Sequence, residues 1–124
     1  MESLLDKTIL ESLAALGERR GKDLLAQLVA LFSEQGPKAF AAMRQALADG
    51  NSEVLRETAH SLKGSYRSLG VTRLAEISSD LEGLGRSGRF DGVEGLMDDL
   101  EATFTLTEEA LQEFIASRRG VAGG

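Results

Sequence analysis

Apolar residues recur at steps of three and four along nearly the whole chain, the spacing that places side chains on one face of an α-helix. Pro37 is the only proline that interrupts this pattern. Leucine, alanine, glutamate and arginine are frequent, whereas β-branched and aromatic residues are too sparse to supply a sheet. The chain is therefore predicted to be all-α, and its 124 residues are enough for one domain but not for two.

Five amphipathic segments follow one another, with short connections between them. Their approximate ranges are 4–17, 22–49, 52–69, 71–84 and 90–115. The second is interpreted as one long helix kinked at Pro37, because the apolar phase resumes beyond the proline. Four long segments with short connections predict an antiparallel up-and-down four-helix bundle, and the first segment is a short accessory N-terminal helix. We expect residues 1–117 to form this single domain and residues 118–124 to form a flexible C-terminal tail.

The charge balance and the cysteine content restrict the function. The chain carries 20 acidic and 14 basic residues, a net charge of −6, which argues against a general nucleic-acid binder. It contains no cysteine, so disulfides, thiolate metal sites and cysteine nucleophiles are excluded. The N-terminus lacks the pattern of a signal peptide, and no apolar run approaches the roughly 20 residues that span a bilayer. We expect a soluble cytoplasmic protein without a membrane partner.

His60 is the only histidine, and it lies in the middle of the third segment. At about 100° per residue, the apolar stripe of this segment falls on the side opposite to His60. The imidazole is therefore predicted to face solvent, which argues against a buried structural histidine. On helical phase alone, an ordinary exposed surface histidine remains the simpler interpretation.

Gly64 and a group of cations distinguish this surface from an ordinary one. Gly64 lies one turn beyond His60 on the same face, where a glycine costs a helix roughly 1 kcal/mol relative to alanine. Its missing side chain leaves a path for a bulky partner to reach the imidazole. Three cations flank this path and suit a phosphoryl group or an acidic partner surface. They are Arg56, Lys63 and Arg67.

The alternative interpretation of these cations is a solvated helix face. Glu53 and Glu57 lie close enough along the helix to pair with Arg56. Such pairs contribute only tenths of a kcal/mol and carry no function (~0.2–0.5 kcal/mol each).

The run His60-Ser61-Leu62-Lys63-Gly64-Ser65, followed by Leu69-Gly70, resembles the signature of histidine-containing phosphotransfer (HPt) domains of two-component phosphorelays. Leu81-Glu82 and Arg86 resemble the downstream helix of that family, and the apolar and turn pattern from about residue 20 to 115 matches its layout. The resemblance implies a four-helix bundle that displays its histidine at mid-helix. There the histidine accepts a phosphoryl group from a receiver-domain aspartate and passes it to another.

The resemblance also implies roles for individual residues. His60 would be the phosphoacceptor, with Nε2 as the nucleophile when Nδ1 carries the proton. Glu82 matches a position, often Gln or Glu in the family, whose side chain accepts that Nδ1 hydrogen and orients the ring; the alternative is a surface pair with Arg86. Lys63 would stabilise the phosphoryl oxygens, Gly64 would leave access, and Arg86 would contact the phosphoryl group or the partner. Two glycines leave the direction of Arg86 open; they are Gly83 and Gly85.

Tyr66 and Arg67 depart from the resemblance, because many HPt domains carry small residues there. Tyr66 falls on the apolar stripe and is predicted to be a core residue with its hydroxyl near the rim. Arg67 lies beside His60, where it would either improve contact with an acidic receiver or restrict which receivers fit. We expect Arg56 and Arg67 to contact the partner.

The leading hypothesis is a stand-alone phosphotransfer protein that works between receiver domains, or between a sensor or hybrid histidine kinase and a response regulator. We expect a monomer, since a single bundle with polar outer faces gives no positive reason for a dimer. We expect no turnover of its own and no autokinase activity. No cofactor of its own is expected, since the Mg²⁺ that the family needs lies in the receiver. A helical adaptor or inhibitor that docks on a receiver or kinase without carrying phosphate is the alternative. A metal-binding bundle is disfavoured, because Glu57 and His60 supply one Glu-x-x-His half-site and no second histidine exists.

Overall fold

The computed structural model describes residues 3–123, with side chains described as far as Arg118. Within that range the chain is all-helical, as predicted, and no strand occurs. The five helices are α1 (Lys7–Arg19), α2 (Leu24–Asp49), α3 (Ser52–Leu69), α4 (Thr72–Ser87) and α5 (Val93–Gly123). None of the helices in the described range is long and apolar enough to cross a membrane.

The ends of α3 are set by the residues that the sequence indicates. The Asn51 side chain caps the first turn by accepting a hydrogen bond from the backbone N–H of Val54 at 3.1 Å. At the other end, Gly70 adopts the left-handed conformation, with φ of 79°. A side chain is disfavoured in that conformation, so the helix ends there and the chain turns into α4.

Helices α2 and α4 continue through residues that commonly interrupt helices. Helix α2 is a single helix across Pro37, in agreement with the interpretation of one long element. Helix α4 includes both Gly83 and Gly85 and ends only at Ser87. The helix is therefore longer than the segment 71–84 that the sequence predicts, and it continues through both glycines. The backbone of α5 is helical to Gly123. The side chains beyond Arg118 lie outside the described residues, and the flexibility expected for residues 118–124 stays a prediction.

The helices pack around one apolar core. Helix α3 packs most extensively on α4, α2 packs on α3 and α5, and α4 also packs on α5. Helix α1 lies against α2 and α3. Fully buried side chains come from all five helices. They are Leu10 of α1, Met43 of α2, Leu55 of α3, Ile77 and Leu81 of α4, and Met97, Leu100 and Leu111 of α5, among others.

An aromatic cluster joins α2 to α5. The rings of Phe32 and Phe40 lie with centroids 4.7 and 5.1 Å from that of Phe104. Gly36 lies between them along α2, and a Cβ there would overlap the Phe104 ring. The close contact of the two helices at this point therefore requires glycine.

Helix α1 is tied to the connection between α3 and α4. The backbone N–H of Asp6 donates to the carbonyl oxygen of Gly70 at 2.7 Å, and Ile9 packs close to the same glycine. This contact holds the N-terminal helix near the C-terminal end of α3.

Candidate functional site

His60 lies in the middle of α3 with its side chain turned outward, as helical phase predicts. Its side chain is 65% exposed, whereas Ala59 and Leu62 beside it are buried. The imidazole is therefore accessible to a second protein, and no core function accounts for it.

Glu82 of α4 is the residue that holds the imidazole. Its side chain is only 4% exposed, and its Oε2 lies 2.7 Å from His60 Nδ1. Arg86 Nη2 donates to the same oxygen at 3.0 Å, while Lys63 Nζ contacts the other oxygen, Oε1. The structure thus brings together four predicted site residues, here named the His60 cluster: His60, Lys63, Glu82 and Arg86.

Lys63 is the main group that keeps Glu82 ionised. The hydrogen bond from Lys63 lowers the pKa of Glu82 from its ordinary value of 4.5 to about 2, burial opposes this shift, and the His60 contact adds to it. An ionised carboxylate only accepts hydrogen bonds, so the proton between Oε2 and the ring must be on His60 Nδ1. In a neutral imidazole with that tautomer, Nε2 keeps its lone pair.

A close approach of α3 and α4 at Gly85 makes this contact possible. A Cβ at Gly85 would lie 2.8 Å from the backbone nitrogen and 2.9 Å from the Cα of Arg56. Any side chain larger than hydrogen would push the helices apart one turn away from the pair of His60 and Glu82. Sequence analysis missed this role, although Gly85 lies on the buried face of α4 together with Ser78, Leu81 and Glu82.

Gly64 lies in the opposite situation. A Cβ built there meets no atom within 4 Å. No contact with the described part of the chain requires a glycine at this position, so the space that it leaves beside His60 is open.

The three cations predicted to flank the path to His60 have different surroundings. Lys63 is half-buried, with 19% of its side chain exposed, and it points to Glu82. Arg56 pairs weakly with Glu53 at 3.8 Å and with Glu57 at 3.7 Å, the pairing that the alternative interpretation named. Arg67 is exposed, and no ion pair of its side chain occurs among the described residues.

Two grooves flank α3 and have different chemistry. The groove towards α2, with a volume of about 770 Å³, begins at His60 and is lined by apolar side chains of α2 and by hydroxyl side chains of α3. Leu31 in this groove is 47% exposed. The groove towards α4 is more polar and contains Arg67, Ser79 and Asp80.

Tyr66 lies between the two grooves and packs edge-on against Phe32, with ring centroids 5.7 Å apart. It is a core residue, as predicted, but its hydroxyl is buried rather than near the rim, and it has no hydrogen-bond partner in the described part of the chain. Burial raises the pKa of this phenol above its ordinary value. The Tyr66 ring therefore lies deeper between the helices than the sequence predicts.

No group of three or more metal-ligating side chains occurs among the residues that the structure describes. The His60 cluster supplies an imidazole, a carboxylate and two cations.

Comparisons with known proteins identify a family and solved structures that the chain resembles. The model of the Hpt domain family matches residues 27–116 of the chain. The crystal structure of histidine-containing phosphotransfer protein B from Pseudomonas aeruginosa is similar, with 26% identity, a TM-score of 0.82, and coverage of 91% of this chain and 95% of that one. No curated protein sequence matches the chain significantly.

A yeast structure is similar in fold. It is the co-crystal structure of the Saccharomyces cerevisiae histidine phosphotransfer signalling protein Ypd1 with the receiver domain of its downstream response regulator Ssk1. The identity is 19%, the TM-score is 0.68, and the match covers 96% of this chain and 95% of the yeast chain.

Proposed function

The chain belongs to the Hpt domain family, and on that premise we propose that it carries a phosphoryl group on His60 in a two-component phosphorelay. His60 accepts the group from a receiver-domain aspartate, or from a hybrid kinase through its receiver, and passes it to the receiver of another response regulator. The observation that carries this proposal is an exposed imidazole whose Nδ1 lies 2.7 Å from a buried carboxylate oxygen.

The transfer step uses the lone pair of Nε2. This pair attacks the phosphorus of the aspartyl phosphate, a P–N bond forms, and the P–O bond to the aspartate breaks as its electron pair returns to the carboxylate. The proton on Nδ1 remains in the hydrogen bond to Glu82, which stabilises the positive charge that develops on the ring. Transfer to the next receiver is the reverse of this step.

Three further residues support the step. Glu82 fixes the tautomer and the direction of the ring, and Lys63 stabilises the phosphoryl oxygens when they arrive. Gly64 leaves the approach to Nε2 free. We assign the Mg²⁺ of the reaction to the partner receiver.

The partner surface extends on both sides of His60. We propose that the receiver places apolar side chains against the groove next to Leu28 and Leu31, and acidic side chains near Arg67 and Arg56. Two observations support this division. Leu31 is exposed in the apolar groove, and the Arg67 guanidinium forms no ion pair with the described residues. The contact is a modest and transient interface of the kind that signalling partners form.

We further propose that α2 to α5 form the antiparallel up-and-down four-helix bundle expected from the sequence, with α1 as the accessory helix. The contacts of His60 with Glu82 and of Arg56 with Gly85 support opposite directions for α3 and α4, because the residue numbers rise in one helix as they fall in the other. A cytoplasmic location, where receivers and kinase domains meet, is part of this proposal.

Labelling of His60 tests the function. The protein is incubated with a panel of phosphorylated receivers, and the label is tested for the acid-labile, base-stable behaviour of phosphohistidine. We expect the wild type to be labelled and His60→Gln to remain unlabelled. Label on the variant would assign the chemistry to another residue.

His60→Gln also separates the two candidate functions. Because the side chain is mostly exposed, the variant should keep the unfolding midpoint of the wild type. A wild type that binds receivers but never carries label would support the adaptor or inhibitor function instead. In that case His60→Gln should bind receivers as well as the wild type does.

A further inference from the structure

We infer that Arg86 is a positioning residue: it compensates the charge of Glu82 so that Lys63 can leave that carboxylate for the phosphoryl group on His60. The inference rests on the proposed function, and it gives Arg86 a role different from direct contact with phosphate or partner.

The two oxygens of Glu82 have different partners. Oε1 is contacted by Lys63, whereas Oε2 is shared by His60 Nδ1 and Arg86 Nη2. The loss of Lys63 would therefore leave Oε1 without its partner but would leave both bonds to Oε2 in place.

In this resting arrangement Lys63 is turned away from the place where the phosphoryl group arrives. Its ammonium lies on a carboxylate held at the Nδ1 side of the ring, while the phosphoryl group would be on Nε2, the other nitrogen. Lys63 comes from α3, three residues after His60, and its flexible stem lets the charge move between two acceptors. To stabilise the phosphoryl oxygens it has to weaken or break its contact with Glu82.

Glu82 still needs a cation when Lys63 leaves, because its side chain is almost completely buried. A buried carboxylate without compensation is strongly destabilised. Arg86 is the cation that stays: it lies four residues further along the same helix, so its distance from Glu82 does not depend on the position of α3 or on the partner.

The exposed position of Arg86 leaves a direct role possible, since 67% of its side chain is accessible. The two roles differ in one respect. A direct contact with the phosphoryl group favours phosphorylated His60 whether or not Lys63 is present, whereas compensation of Glu82 favours it only when Lys63 leaves Glu82 for the phosphoryl group.

The test measures how a phosphoryl group distributes at equilibrium between a purified receiver and this protein. The equilibrium constant refers to the free proteins, so a lost contact with the docked partner cannot change it. We expect Arg86→Gln to lower the equilibrium constant for transfer from the receiver to His60 roughly tenfold. This is the scale of one charge-assisted hydrogen bond. Arg86→Lys, which keeps the charge, should remain near the wild type.

The decisive measurement repeats Arg86→Gln in a Lys63→Gln background. We expect Arg86→Gln to leave this equilibrium constant nearly unchanged there, because Glu82 then lacks Lys63 both before and after phosphorylation and the loss of Arg86 affects both states alike. An undiminished effect in that background would show that Arg86 acts on the phosphoryl group directly. An Arg86→Gln variant equal to the wild type would show that Arg86 does not support the reaction.

Two controls separate this inference from a structural effect and from the proposed function. In the wild type, the NMR signals of the Lys63 side chain should shift when His60 is phosphorylated. This shift should be smaller in Arg86→Gln. A general loss of stability does not predict such a reduction. A wild type that cannot be labelled would reject the proposed function and this inference with it. A labelled wild type with an unchanged Arg86→Gln variant would reject the inference alone.

Discussion

Two glycines inside long helices, Gly36 of α2 and Gly64 of α3, occupy opposite surroundings. A side chain at Gly36 would overlap the ring of Phe104, whereas one at Gly64 would touch nothing within 4 Å. Both glycines weaken their own helix by a similar amount, roughly 1 kcal/mol relative to alanine. Packing against Phe104 accounts for the first glycine, whereas no contact among the described residues accounts for the second.

The difference separates a requirement of the fold from a requirement of the function. Around Gly36 the contacts are apolar and depend on shape, because the rings of Phe32, Phe40 and Phe104 meet there. Around Gly64 lie an exposed imidazole and the charges that hold it. In the proposed function, the second glycine leaves room for a partner that approaches His60.

The largest effect on stability is expected from Gly36→Ala. The added methyl group has to displace a ring that is held between two others, so the free energy of unfolding should fall by about 1–3 kcal/mol. Urea unfolding followed by circular dichroism measures the change. Gly95→Ala in α5 is the matched control, because a Cβ at Gly95 meets nothing within 4 Å. If both variants are equally stable, the close contact of α2 and α5 does not restrict residue 36.

The pH dependence of the unfolding free energy should also differ between the region around His60 and the region around Gly36. The folded pKa of Glu82 is lowered from 4.5 to about 2, so its ionised form adds stability at pH values above about 4.5. That contribution is lost as the pH falls towards about 2. The stability difference between the wild type and Glu82→Gln should therefore be constant near neutral pH and shrink in acid.

The Gly36→Ala deficit should not change over the same range, because the aromatic rings around it do not titrate there. Unfolding free energies measured from neutral pH to about pH 2 test both statements. A difference for Glu82→Gln that is independent of pH would mean that the charge of Glu82 does not stabilise the fold.

The smallest effect on stability is expected at Gly64. Gly64→Ala should leave the free energy of unfolding unchanged or raise it by up to about 1 kcal/mol. Transfer of a phosphoryl group from a receiver should nevertheless slow, and Gly64→Leu should slow it further, because the side chain narrows the approach to Nε2. Single-turnover transfer rates measure this, with Gly95→Ala as a control that should transfer normally. Equal rates for all three variants would remove the access role of Gly64.

Much of the fold follows from sequence periodicity. The five helices and the end of α3 after residue 69 agree with the predictions, because each depends on local spacing or on a single turn residue. The family match at residues 27–116 confirms the resemblance drawn from the motif around His60.

The parts that were missed depend on distances between helices, which local spacing does not contain. From the sequence, Gly85 only leaves the direction of Arg86 open, yet it is the place where α4 touches the backbone of Arg56. A signal was available: Gly36 and Gly85 both lie in phase with the apolar stripe of their helix, whereas Gly64 lies out of phase. The pairing of Lys63 with Glu82 carried no comparable signal, because it depends on how far two side chains reach across a helix interface.

The buried position of Tyr66 has a practical consequence. It is the only tyrosine, and the chain contains no tryptophan, so the near-ultraviolet fluorescence of the folded protein comes mainly from a single ring. That ring lies against Phe32 and borders both grooves beside α3. The natural sequence thus contains its own optical reporter, located where a docking receiver would disturb it and needing no added label.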